Sequence, residues 1–193
     1  MIQRFCSYVE KMFRLSELFG ELTDVRQQPQ IPIESCWQTA FFMFITGRPS
    51  LNAMECEVSW PKRLDRLIGP RKPSADRLGE IYEMIVPDEQ RQMLKEIIKR
   101  LQRKKVLGNP WGHRFVALDG HEFFSSRHRC CDGCSERTLT VNGEEVIEYY
   151  HRGVVAHLVG LDLPIPLDIE LTLPGEGEVG TASRLMDRLV DTY

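Results

Sequence analysis

With 193 residues, 42% of them hydrophobic and 27% charged, the chain can hold one large domain or two small ones with ordinary cores. Its longest purely apolar run, Ala40 to Ile45, falls far short of the roughly 20 residues that a bilayer demands, which argues against a membrane span. The net charge of −3 is unevenly shared: residues 1–110 carry 18 Lys and Arg against 14 Asp and Glu, and residues 111–193 carry 7 against 14.

Glu10 and Lys11 stand where a secretion signal would keep its apolar centre. The six cysteines are therefore expected to be reduced thiols or metal ligands in the cytoplasm, not a disulfide framework.

In chain order, Phe5 to Leu22 repeats apolar residues at a helical period and predicts a first helix. Pro29 and Pro32 cannot continue it, because proline lacks the amide donor. A second helix is predicted over Glu34 to Thr46, apolar nearly all round and so buried on most faces. Ser74 is a suitable N-cap for a third. The fourth, Asp88 to Val106, carries an apolar stripe from Met93 to Leu101 and a basic end, Arg100, Arg103, Lys104 and Lys105. That basic end suits the negative pole of the helix dipole, and it is also the candidate for contact with DNA phosphates. Gly108 is the expected left-handed stop, and Gly108 to Gly112 the expected linker. Trp37 and Trp60 read as core residues.

Beyond the linker the pattern turns to strands. Arg114 to Leu118 is a short apolar run delivering Asp119 at its end. A second strand is expected from Val146 or Ile147 to Leu158, bent near Gly153, and a third from Leu163 to Leu173, where apolar residues alternate with polar ones. Thr181 is the predicted cap of a closing helix. The class is α+β: a helical region over residues 1–108, and a sheet domain over 113–193 with a Cys-containing insertion at about 120–151.

Two constellations carry chemistry. A carboxylate at the end of a first strand is a stiff mount for a divalent cation, and two-metal phosphoryl transfer needs such carboxylates to converge. Asp119 holds that position. Cys131-Asp132-Gly133-Cys134 can place two thiolates on one zinc ion, with His151 and either Cys130 or His128 as further ligands. Such a centre would pin an insertion poor in apolar residues. His121 and Glu122 lie nearest Asp119 in sequence; Asp168, Glu170, Glu176 and Glu178 read as solvent-facing.

The run Phe115-Val116-Ala117-Leu118-Asp119-Gly120, followed by Phe123-Phe124-Ser125-Ser126, Cys131-x-x-Cys134 and Tyr149-Tyr150-His151, resembles insertion-sequence transposases of the DDE type. The segment from Pro73 to Leu78 and the helix after Asp88 are similar to that family's N-terminal helical region. The resemblance implies a ribonuclease-H-like fold for residues 113–193, with Asp119 as the first of three catalytic carboxylates on magnesium or manganese. It also implies Cys131, Cys134 and His151 as a structural cluster, and transposon-end DNA as the partner. His121 and Cys130 depart from the family's pattern, and the later two carboxylates are not found in this sequence. The expectation is a truncated copy that is catalytically incomplete alone, with an open sheet edge that favours homo-oligomers. The competing expectation is a non-enzymatic, zinc-stabilised DNA-binding protein.

Overall fold

The computed structural model describes residues 2–58, 68–69, 71–108 and 113–193, and is α+β, with seven helices and four strands among them. Contacts divide the chain into two compact units, residues 1–100 and 101–193. Trp60 and most of the expected linker lie outside the described residues.

The first unit is helical. Where one helix was predicted over 5–22 there are two, α1 (Ile2–Phe13) and α2 (Leu15–Gly20), because Arg14 adopts a left-handed backbone (φ 44°). Such a conformation is costly for a residue with a Cβ. The break turns Leu15, Leu18 and Phe19 inward, where with Leu22 they form a core against Trp37, Phe41, Met93 and Ile97. Helix α3 (Ile33–Ile45) follows the predicted span but is not covered all round, since Phe44 is 76% exposed. Helix α4 (Leu51–Val58) was not anticipated; its signal was Ser50, whose hydroxyl accepts from the Ala53 amide at 3.1 Å. Helix α5 (Ala75–Glu83) begins as expected, with the Ser74 hydroxyl accepting from the Arg77 amide. Helix α6 (Pro87–Arg103) is followed by a left-handed residue at Lys105 (φ 56°), three residues before the stop expected at Gly108.

The second unit is an antiparallel sheet backed by one helix. Strand β1 (Phe115–Ser126) does not stop at Asp119 but continues for seven more residues. Strand β2 (Ser135–Val141) was not anticipated. It is joined to β3 (Glu144–Val159) by Asn142-Gly143, both at positive φ, the two-residue turn whose twist matches paired strands. The segment 120–151 is thus not an insertion beside the sheet, since 120–126 complete β1 and the remainder supplies a hairpin of the same sheet. Strand β4 (Ile165–Leu171) falls inside its predicted span. Strand β3 is the spine, with β1 along one side and β2 and β4 sharing the other at its two ends. It runs unbroken through Gly153, where an added Cβ would lie 2.5 Å from the Glu170 carbonyl oxygen. Only glycine permits that approach.

Helix α7 (Glu178–Thr192) packs on β3 and β4, against the alternating buried residues Val154, Ala156 and Leu158, with Leu185 fully buried. Its N-cap is Gly177; Thr181, the predicted cap, is buried inside, its hydroxyl bonded to that of Thr172 at 3.1 Å. Of the four acidic residues expected to face solvent, Glu178 is exposed, but the other three fasten this helix. Asp168, 9% exposed, accepts from Arg188 at 2.6 Å, Glu170 accepts from Arg188 and Arg184, and Glu176 accepts from Arg184.

The Glu176 carboxyl is held down at about 2, first by hydrogen bonding from Arg184 and then by the Leu173 amide. Because this lies below the ordinary 4.5, its stabilisation is complete above pH 4.5 and disappears as pH falls toward 2. Replacing Glu176 by Gln should therefore flatten the dependence of stability on pH across that window, as read by urea titrations at successive pH values. An unchanged slope would show that the contact adds nothing.

Candidate metal centre

The hairpin register builds this site. Ser135 pairs with Tyr150, so the next step out along the ladder brings Cys134 to His151. The backbone turn of the Cys131-x-x-Cys134 segment, closed by the Cys134 amide on the Cys131 carbonyl at 3.0 Å, returns Cys131 to the same place. His151 Nε2 lies 3.3 Å from Cys131 Sγ and 3.2 Å from Cys134 Sγ, and the two sulfurs are 3.7 Å apart. That sulfur separation excludes a disulfide, whose bond is about 2.05 Å.

The sulfur separation fits one tetrahedral ion, and the two sulfur–nitrogen distances are slightly shorter than such an ion would set. Zinc bonds of about 2.3 Å to sulfur and about 2.0 Å to nitrogen place neighbouring ligand atoms roughly 3.5–3.8 Å apart. The Cys131 amide also donates to Cys134 Sγ at 3.3 Å, an outer contact that helps to orient the sulfur. Two thiolates and an imidazole can hold a metal, and the three ligand atoms lie within 4.8 Å of one another. Cys134 is buried while Cys131 is exposed, so one side of the site is open. Of the two residues proposed to complete it, neither belongs to this group. Cys130 lies beside Cys134, its thiol held above the ordinary range by desolvation and then by the Cys134 sulfur. The His128 amide is bonded to the Ser126 hydroxyl. Glycine at 133 is not demanded by space, since an added Cβ would meet only ordinary contacts, the nearest 3.5 Å away.

Beside the centre, Arg137 on β2 donates to Glu148 on β3 and, at 2.8 and 3.0 Å, to Glu122 on β1, and its guanidinium lies 4.8 Å from the Tyr150 ring centroid. The two carboxylates hold it firmly charged. This cross-strand clamp was not read from the sequence, because only the register sets these residues together.

Asp119 sits elsewhere on the sheet. It pairs with Val155, which pairs in turn with Ile169. A Cβ at neighbouring Gly120 would meet the Glu178 carboxylate of α7 at 2.7 Å, so strand alternation turns Asp119 to the face away from the helix. It is exposed there, with His121 two residues along on the same face. Asp119 thus stands in the middle of a strand, not at the strand end where the apolar run placed it. Among the described residues, Asp119 joins no group of three possible metal ligands, so a two-ion magnesium or manganese centre does not fit them.

Of the basic residues put forward for DNA, Arg100 donates to the Phe13 carbonyl and so holds the end of α1; Arg103, Lys104 and Lys105 are exposed. No helix among the described residues is long and apolar enough to cross a membrane. No family model, curated protein or solved structure matches the chain.

Proposed function

We propose that the chain is the DNA-binding and first-strand portion of a DDE-type transposase, with a zinc ion fastening its sheet. One observation carries the reading: Asp119 stands exposed on the first strand of an antiparallel β1-β3-β4 sheet that is followed by a helix. That is where a ribonuclease-H-like domain mounts its first metal-binding carboxylate. The Cys131, Cys134 and His151 group supports the same reading, since it ties the connection between β1 and β2 to β3, the strand paired with the one that bears Asp119. In this reading Cys131, Cys134 and His151 hold the zinc, and its contribution is cross-linking, not reaction chemistry. Because Asp119 joins no group of three possible metal ligands among the described residues, strand cleavage by this chain alone is not expected.

Selection from random DNA duplexes should return one short sequence. The selected duplex should then raise manganese uptake by the wild-type protein, measured by electron paramagnetic resonance, but not by Asp119→Asn. A selection without a shared sequence, or equal uptake by both proteins, would overturn the proposal.

A further inference from the structure

The helical unit holds a cavity of about 540 Å³ lined by Arg26 to Ile31 and by Arg71, Lys72 and Arg77. Among the nine described residues that line it, four are cationic, three are glutamines and none is acidic. The carboxylates that pair with Arg26 and Arg77, those of Asp24 and Glu80, belong to residues outside the lining. Arg26 is committed to the fold, donating to Asp24 at 2.6 and 2.7 Å and to the Ile31 carbonyl at 2.8 Å, which shapes the 26–31 loop. Arg71 is exposed and donates to the Gln30 carbonyl at 3.3 Å, which leaves most of its five N–H donors for a ligand.

We propose that this cavity binds the phosphate of a nucleotide, with Arg71 as the principal contact. A guanidinium fork matches two phosphate oxygens at once, and the described lining residues contribute no carboxylate to oppose them. Glutamine amides supply neutral donors for the sugar and base edge. The volume is nucleotide-sized, within the roughly 300–1,000 Å³ of small-molecule sites and larger than a lone inorganic anion fills. The phosphate could come from a DNA strand or a free nucleotide. Choosing DNA rests on the transposase reading; the site itself does not.

The test uses fluorescence anisotropy with two probes, a fluorescein-labelled 20-base-pair duplex and a fluorescent adenosine monophosphate, on the full chain. Arg71→Ala should weaken duplex binding about tenfold and reduce the salt slope by about one. Because Arg71 also braces the loop, Gln28→Glu provides a second variant, which adds a negative charge without removing that hydrogen bond; it should weaken the same probe. Wild-type affinity of both variants for both probes would overturn the site. Losses confined to the mononucleotide would keep a phosphate site and overturn DNA as its source. A wild-type protein that selects one duplex sequence, with both variants indifferent, would sink the cavity and leave the transposase reading intact.

Discussion

Replacing Cys134 by Ser is expected to abolish stoichiometric zinc in the purified protein and to lower the melting temperature of the sheet unit by roughly 10–20 °C. Cys134 is the buried member of the group and the one that register sets against His151. Its loss would leave a buried hydroxyl facing an imidazole and a single thiolate, too few strong donors for a closed structural site. In small zinc domains the binding free energy is on the order of 10 kcal/mol, and there it is nearly all folding free energy. Here the sheet has its own core under α7, so only the share that orders residues 127–134 and the hairpin is at stake, about 3 kcal/mol. The ligands must be deprotonated, so chelation should destabilise the wild type more at pH 7.5 than at pH 5, where protons already compete for the thiolates. Metal analysis by mass spectrometry with paired thermal melts would decide it. Wild-type protein without zinc, or a Cys134→Ser variant that melts with the wild type, would refute a structural ion. Cys130→Ser gives the graded comparison: a smaller loss of zinc would identify Cys130 as the fourth ligand, and no loss would leave that position to water.

Leu185→Ala should destabilise the same unit by about 2–5 kcal/mol, the range for removing a fully buried leucine side chain from a core that cannot close the gap. Leu185 is wholly buried, and the other apolar residues of its helix cannot compensate: Leu189, on the same face, is only half-buried, while Met186 and Val190 point away from the core, 52% and 81% exposed. The helix is held around that contact by ion pairs from Arg184 and Arg188 to Glu170, Glu176 and Asp168, most of them partly exposed. Pairs of that kind contribute at most about 1 kcal/mol each and cannot replace the lost burial. Denaturant unfolding would show the midpoint falling with the slope unchanged. A cost below about 1 kcal/mol would mean that the charged clamp, not the leucine, secures the helix.

Much of this was legible in the residues because it is local. Period-two alternation marked β4, the Ser74 cap marked α5, and the Cys-x-x-Cys spacing with His151 marked the metal group. The misses near Asp119 and at β2 have one cause. The extent of a strand depends on what pairs with it, so a Leu118-Asp119-Gly120 run that reads as a strand end became the middle of β1 once β3 lay alongside. Asn142-Gly143 was an available hairpin signal, and with it β2 could have been found. The break at Arg14 left no such mark, since a helical period continues through it and only core packing favours the turn.

The amino-acid order by itself determined the α+β class, the positions of most helices and the identity of the three side chains that could hold a metal, because propensity, capping and ligand chemistry act within a few residues. Which donors meet, which face Asp119 occupies, and which carboxylates bind arginines were decided only in the folded chain. Those are matters of strand register and helix placement, and a shift of one residue would have turned each of these side chains to the other side of the sheet.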